Sequence, residues 1–242
     1  MRKPIAILFL IVVYLIPNNV KAQEKEAAAI AAGALVAIGT GIAAVQQMEE
    51  RAELTATEWI LSNRPEMKSF SLKTLDFDGK KLKDLSSVSV ITYEIQEFTR
   101  QDNPVLDGNK YVLLAFTSQG WINEYGIDFD KIKWFLVSST EWINMMTAYV
   151  KAASDVKDEK FIREKLEKGK IVNKGIKIKS KLVIPFFKLN GDMYVTNDYS
   201  DEMKFVYNEK SLGIFLKETE DLVQISRKSI ISIHEFFFYE NN

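Results

Sequence analysis

The chain has 242 residues, with 32 Lys and Arg against 33 Asp and Glu for a formal net charge of -1, one histidine and no cysteine. Without cysteine there is no disulfide framework, lipoprotein anchor or thiol chemistry; a single histidine excludes a histidine-rich zinc site; and balanced charge gives no overall pull toward nucleic acid, so no nucleic-acid partner is expected. A hydrophobic content of 47% suits a packed core rather than a disordered chain.

The first 22 residues carry an export pattern. Arg2 and Lys3 form a basic start, residues 5–16 are uncharged and apolar, and Pro17, Asn18 and Asn19 then break the helix. The apolar run is shorter than the roughly 20 residues that a bilayer span needs. Val20-Lys21-Ala22 places compact side chains at the third and first positions before a cut, so residues 1–22 are expected to be a cleavable signal peptide with the mature chain starting near Gln23. Such a leader is similar to those of exported bacterial envelope proteins, which implies a periplasmic or outer-envelope destination.

Residues 23–64 read as a helical segment rich in small side chains. Residues 27–45 hold no charge, and Ala29, Gly33, Ala37 and Gly41 recur every fourth place, making a smooth ridge on which another helix can settle. Ile30, Leu35, Ile38 and Ile42 occupy the other side, so the segment is apolar all round and suits burial in protein or lipid. Its Leu, Ile and Val residues would contribute at best about -3.6 kcal/mol to membrane insertion, a sum that the glycines and alanines erode. Two environments follow: an envelope membrane or a helix of a partner or second copy, and the protein's own domain. Past residue 45, Leu54, Trp59, Ile60 and Leu61 give an amphipathic stripe suited to docking on the next domain, and Asn63-Arg64-Pro65 ends the helix.

From residue 65 to 242 the pattern is that of an α+β domain, mostly antiparallel sheet with two inserted helices. Residues 70–77, 88–99, 111–116 and 132–137 read as strands, with turns at Asp78-Gly79 and Asp107-Gly108. Ser138 and Glu141 form a capping box for a helix burying Trp142, Met145, Met146, Tyr149 and Val150. A second helix is expected over residues 156–168, stopped by a left-handed Gly169. The last third reads as strands: one carrying Ile176 to Ile184, a hairpin at Asn190-Gly191, then residues 205–207, 212–216, 222–225 and 230–239. Strands grouped before and after helices favour α+β over a doubly wound parallel sheet.

The catalytic inventory is poor. His234 lies in the run expected to be the last strand, with no nucleophile signature nearby, and reads as structural. Asp76-Phe77-Asp78-Gly79 has the opening of a calcium loop without its later ligands, and reads as a turn. Glu124 and Asp128 among Trp121, Tyr125 and Trp134 could form a ligand cleft with aromatic walls, the arrangement a carboxylate-dependent hydrolase of sugars would need. Lys174, Lys177, Lys179 and Lys181 alternate with apolar residues, giving either a cationic strand face for an anionic surface or a protected sheet edge. No phosphate loop, cofactor fingerprint or metal motif is present, and no cofactor is expected.

These readings predict a membrane-associated envelope protein with a non-catalytic binding or assembly role. The competing classes are a hydrolase centred on residues 121–134 and a secreted toxin-like protein whose apolar helix enters foreign membranes.

Overall fold

The computed structural model describes residues 42–76, 88–102, 104–123, 126–187, 195–208 and 210–239. They form a mixed α+β architecture in which every strand pair is antiparallel. Helix α1 (Ile42–Asn63) leads into β1 (Phe70–Asp76), β2 (Ser89–Glu97) and β3 (Lys110–Thr117). A short ribbon of β4 (Ile122–Asn123) and β5 (Gly126–Ile127) then precedes β6 (Ile132–Ser138). Helices α2 (Ser139–Ala153) and α3 (Glu159–Lys168) follow.

The central sheet has the order β1-β2-β3-β6 and is apolar on both faces. On β3, Val112, Leu114 and Phe116 enter one core while Leu113 and Ala115 enter the other. On β2, Val90 points one way and Ile91, Tyr93 and Ile95 the other; Ile91 and Val90 are neighbours in sequence because successive side chains alternate across a strand. A sheet apolar on both faces must be covered twice, and it is.

One cover is α1. Met48, Ala52, Ala56 and Ile60, each four residues from the next, are all buried against the sheet. The two alanines bring the helix backbone close, and Met48 and Ile60 each contribute roughly 1.5–3 kcal/mol by leaving water. Trp59 stacks on Trp134 of β6 with ring centroids 5.7 Å apart. The helix stops where Asn63 donates its side-chain amide to the Trp59 carbonyl at 2.9 Å and Pro65 approaches.

The other cover is built from α2 and the C-terminal elements. Ser138 accepts from the Glu141 N–H at 3.2 Å, as its spacing predicted, and Trp142, Met145, Met146, Tyr149 and Val150 are buried. Helix α3 begins later than expected because the Asp158 side chain, accepting from the Phe161 N–H at 3.1 Å, is its cap. Gly169 was expected to be left-handed; it is extended at φ -117, since the chain runs straight into β7 (Lys170–Val172). Glycine is needed there for space instead, as a Cβ would lie 2.6 Å from both Ile176 and the Lys165 carbonyl.

Strands β7, β8 (Gly175–Ile178) and β9 (Lys181–Pro185) form a three-stranded meander. A second four-stranded sheet contains β10 (Val195–Asp198), β11 (Met203–Tyr207), β12 (Ser211–Leu216) and β13 (Leu222–Ser226). Asn190-Gly191 lies outside the described residues, but β9 and β10, expected to pair across it, belong to different sheets.

The largest departure from expectation is the end of the chain. The segment read as a strand over residues 230–239 is instead helix α4 (Arg227–Phe238). Ser226 caps it by accepting from the Ser229 N–H at 3.1 Å, and Ile230, Ile233, His234 and Phe237 form its buried stripe. At its far end Lys110 donates to the Phe236 carbonyl at 2.9 Å, placing a cation where the helix dipole favours one.

Candidate functional site

The helix-association residues Ala29, Gly33, Ala37 and Gly41 lie outside the described residues, as do Glu124 and Tyr125. Among the described residues no helix is long and apolar enough to cross a membrane. The remaining cleft candidates do not form a wall. Trp121 is 1% exposed in the core beneath α1, held by the Asp128 N–H donating to its carbonyl at 2.7 Å. One face of Trp134 is taken by Trp59, and Tyr93 lies 6.5 Å away. Trp121 and one face of Trp134 are thus taken up by packing, and the Asp128 carboxylate lies 3.9 Å from Lys131.

The lysine series is also rearranged. Lys174 sits in the turn between β7 and β8, and Lys179 occupies the two-residue turn between β8 and β9 with φ 53. Lys177 pairs with Leu182 and Ile178 with Lys181. Directly paired residues share a sheet face and neighbours alternate, so Lys177 and Lys181 point to opposite faces. The single cationic strand face expected from the sequence does not form, because a turn interrupts it.

His234 is structural, though on a helix. It is buried, its Nε2 donates to the Gly169 carbonyl at 3.0 Å, and its Nδ1 accepts from Trp142 Nε1 at 3.3 Å. Burial lowers its pKa to about 4, against the smaller opposing effect of the backbone carbonyls of Gly169 and Leu166. It is thus neutral near pH 7, with both nitrogens engaged. Among the described residues no cluster of three or more His, Asp and Glu could hold a metal ion.

A further concave surface lies between α1 and β1. A cavity of about 620 Å³ is lined on the helix side by Glu50, Glu53, Leu54, Thr57 and Leu61, and on the strand side by residues 68–70, Leu72, Phe98 and Arg100. Leu54 is 64% and Leu61 55% exposed. They sit on the flank of α1, away from the buried stripe, and with Thr57 they repeat at helical spacing. At one end Glu53 Oε1 accepts from the Thr74 N–H at 3.1 Å and the Thr74 hydroxyl at 2.5 Å. At the other, Arg100 Nε donates to Ser69 Oγ at 2.9 Å and its Nη2 to the Lys68 carbonyl at 3.4 Å. Leu54 and Leu61 were expected to dock with Trp59 and Ile60, but they lie out of phase with the buried stripe of Met48, Ala52, Ala56 and Ile60 and face outward instead.

No protein family, curated protein or solved structure matches the chain.

Proposed function

We propose that the protein is an exported component of the bacterial cell envelope with a non-catalytic binding or assembly role. Residues 1–22 direct export to the periplasm or outer envelope, the apolar helix over residues 27–45 engages a membrane or a partner helix, and the α+β domain presents a binding surface. The observation that carries this reading is the attachment of α1. Met48, Ala52, Ala56 and Ile60 fasten to the central sheet a helix whose first residues, 42–45, are the end of that apolar segment.

The test is intact mass and fractionation of the natural protein. The expected mass lacks residues 1–22, and the protein stays with membranes or a complex through an alkaline wash. Deleting residues 27–41, which spares α1, should release it. Retention of the leader, or unchanged fractionation of the deletion variant, would refute the assignment.

A further inference from the structure

We infer that the groove between α1 and β1 accepts an extended segment of a partner protein as a fifth strand of the central sheet, with negative charge on the segment at the Lys68 and Arg100 end. This deepens the binding role proposed above and rests on it. Among the described residues, strand β1 is the outer strand of its sheet and pairs only with β2. The register pairs Phe70 with Glu97 and Leu72 with Ile95, and the Phe98 N–H donates to the Ser69 carbonyl at 3.0 Å. Because backbone groups alternate between the two sides of an antiparallel strand, residues 69, 71 and 73 turn theirs toward β2, and Phe70, Leu72 and Thr74 turn theirs outward.

The Thr74 position shows what the outward side requires. Its N–H is received by Glu53, whose carboxylate stands where a neighbouring strand would place a carbonyl. Phe70 and Leu72 have no such side chain, and among the described residues nothing pairs with their outward N–H and C=O groups. An added strand satisfies them, with main-chain bonds supplying affinity and alternate side chains supplying specificity. Those side chains enter a trough whose walls are already apolar: Leu54 and Leu61 on the helix, Phe70, Leu72 and Phe98 on the sheet.

Charge fixes the orientation. Lys68 and Arg100 have no acidic partner within salt-bridge distance among the described residues, whereas Glu50 and Glu53 mark the opposite end. Six residues separate Lys68 from Thr74, or about 20 Å of extended chain, so the two ends are resolved along the groove. A segment whose C-terminal carboxylate lies at the cationic end, beside the start of β1, runs antiparallel to β1.

The probe is a fluorescein-labelled peptide of about eight residues, alternating Val and Thr and ending in Asp with a free carboxylate, titrated by anisotropy into the purified full chain. Saturable binding in the micromolar range is expected. Methylating the backbone nitrogens that face β1 should weaken it about tenfold, and Leu54→Arg should do the same. Lys68→Glu with Arg100→Glu should abolish the preference for Asp over Lys at the peptide end. Leu54 is exposed, so circular dichroism of its variant should match the parent, and Leu182→Arg on the distant meander should bind normally. No binding at millimolar peptide, equal affinity of the methylated peptide, or indifference to Leu54→Arg would overturn the inference. Binding seen only after residues 23–41 are deleted would also overturn it, by making the chain's own front the occupant. Failure here leaves the fractionation result intact, so the two readings fail separately.

Discussion

The single histidine offers a direct measurement of how the two halves of the larger core meet. His234 joins α4 to α2 through Trp142 and to the start of the meander through Gly169. In the neutral form with hydrogen on Nε2, each contact has one donor and one acceptor. Adding a proton to Nδ1 would point it at the Trp142 Nε1–H, setting donor against donor in a site without solvent. The pKa accordingly falls from 6.5 to about 4, burial being the main cause.

That difference is a stability statement. The unfolded chain takes up the proton near pH 6.5 and the folded chain only near pH 4, so protonation between them favours unfolding. The contribution is present in full above the unfolded value, declines as pH falls, and is lost below the folded value. At roughly 1.4 kcal/mol per pH unit the full loss is about 3 kcal/mol, of which about 2.5 kcal/mol has gone by pH 4.5. The assay is urea unfolding of the parent and of His234→Gln at about pH 7.5 and about pH 4.5. Glutamine offers one donor and one acceptor without titrating, and the carboxylates common to both proteins cancel in the comparison. The parent should lose about 2.5 kcal/mol more than the variant. With one histidine, the imidazole proton resonance also reports its own pKa without assignment. Equal losses in the two proteins, or a folded-state midpoint near 6.5, would refute the buried neutral imidazole.

Ile60→Ala should cost about 2–5 kcal/mol by loosening α1 from the central sheet, seen in urea unfolding; a cost near zero would mean that α1 is not docked in solution. Gly175→Ala should destabilise by about 2 kcal/mol or more, because Gly175 has φ +134 and a Cβ there would meet the Ile184 carbonyl at 2.1 Å; an unchanged melting temperature would contradict the β8–β9 packing. Lys179→Gly should instead stabilise by about 1 kcal/mol, since a left-handed lysine is strained and glycine is not; a fall in melting temperature would argue against the tight turn.

The early part of the fold was legible because its side chains repeat with one clear period. Strands β1 to β3 and β6 sit within a residue or two of the expected positions, and Ser138 caps α2 as its spacing required. Helix α4 was misread for a physical reason. Six of residues 230–238 are isoleucine or phenylalanine, which satisfies a strand pattern, yet Ile230, Ile233, His234 and Phe237 also fit a helical stripe. The Ser226 cap resolves the ambiguity, and it is a weaker signal than the run itself. The lysine series is similar: residues 176–182 alternate as one strand would, although Lys179 and Ser180 form the turn between two.

The groove was hidden for a different reason, which bears on how binding surfaces of this kind are recognised. Its apolar wall on the helix side is two leucines on the flank of α1, whose buried face lies elsewhere, and scattered exposed leucines are ordinary on protein surfaces. Its polar groups are the backbone N–H and C=O of Phe70 and Leu72, which every residue carries and no sequence motif marks. Only the topology, with β1 outermost, and the register, with even residues turned outward, give those groups a direction. Glu53 then supplies the contrast: where α1 can reach the edge it provides an acceptor for Thr74, and where it cannot, the edge stands open beside Leu54 and Leu61. A strand edge satisfied by its own helix only at Thr74 is a site whose open groups define the shape of what must come to it.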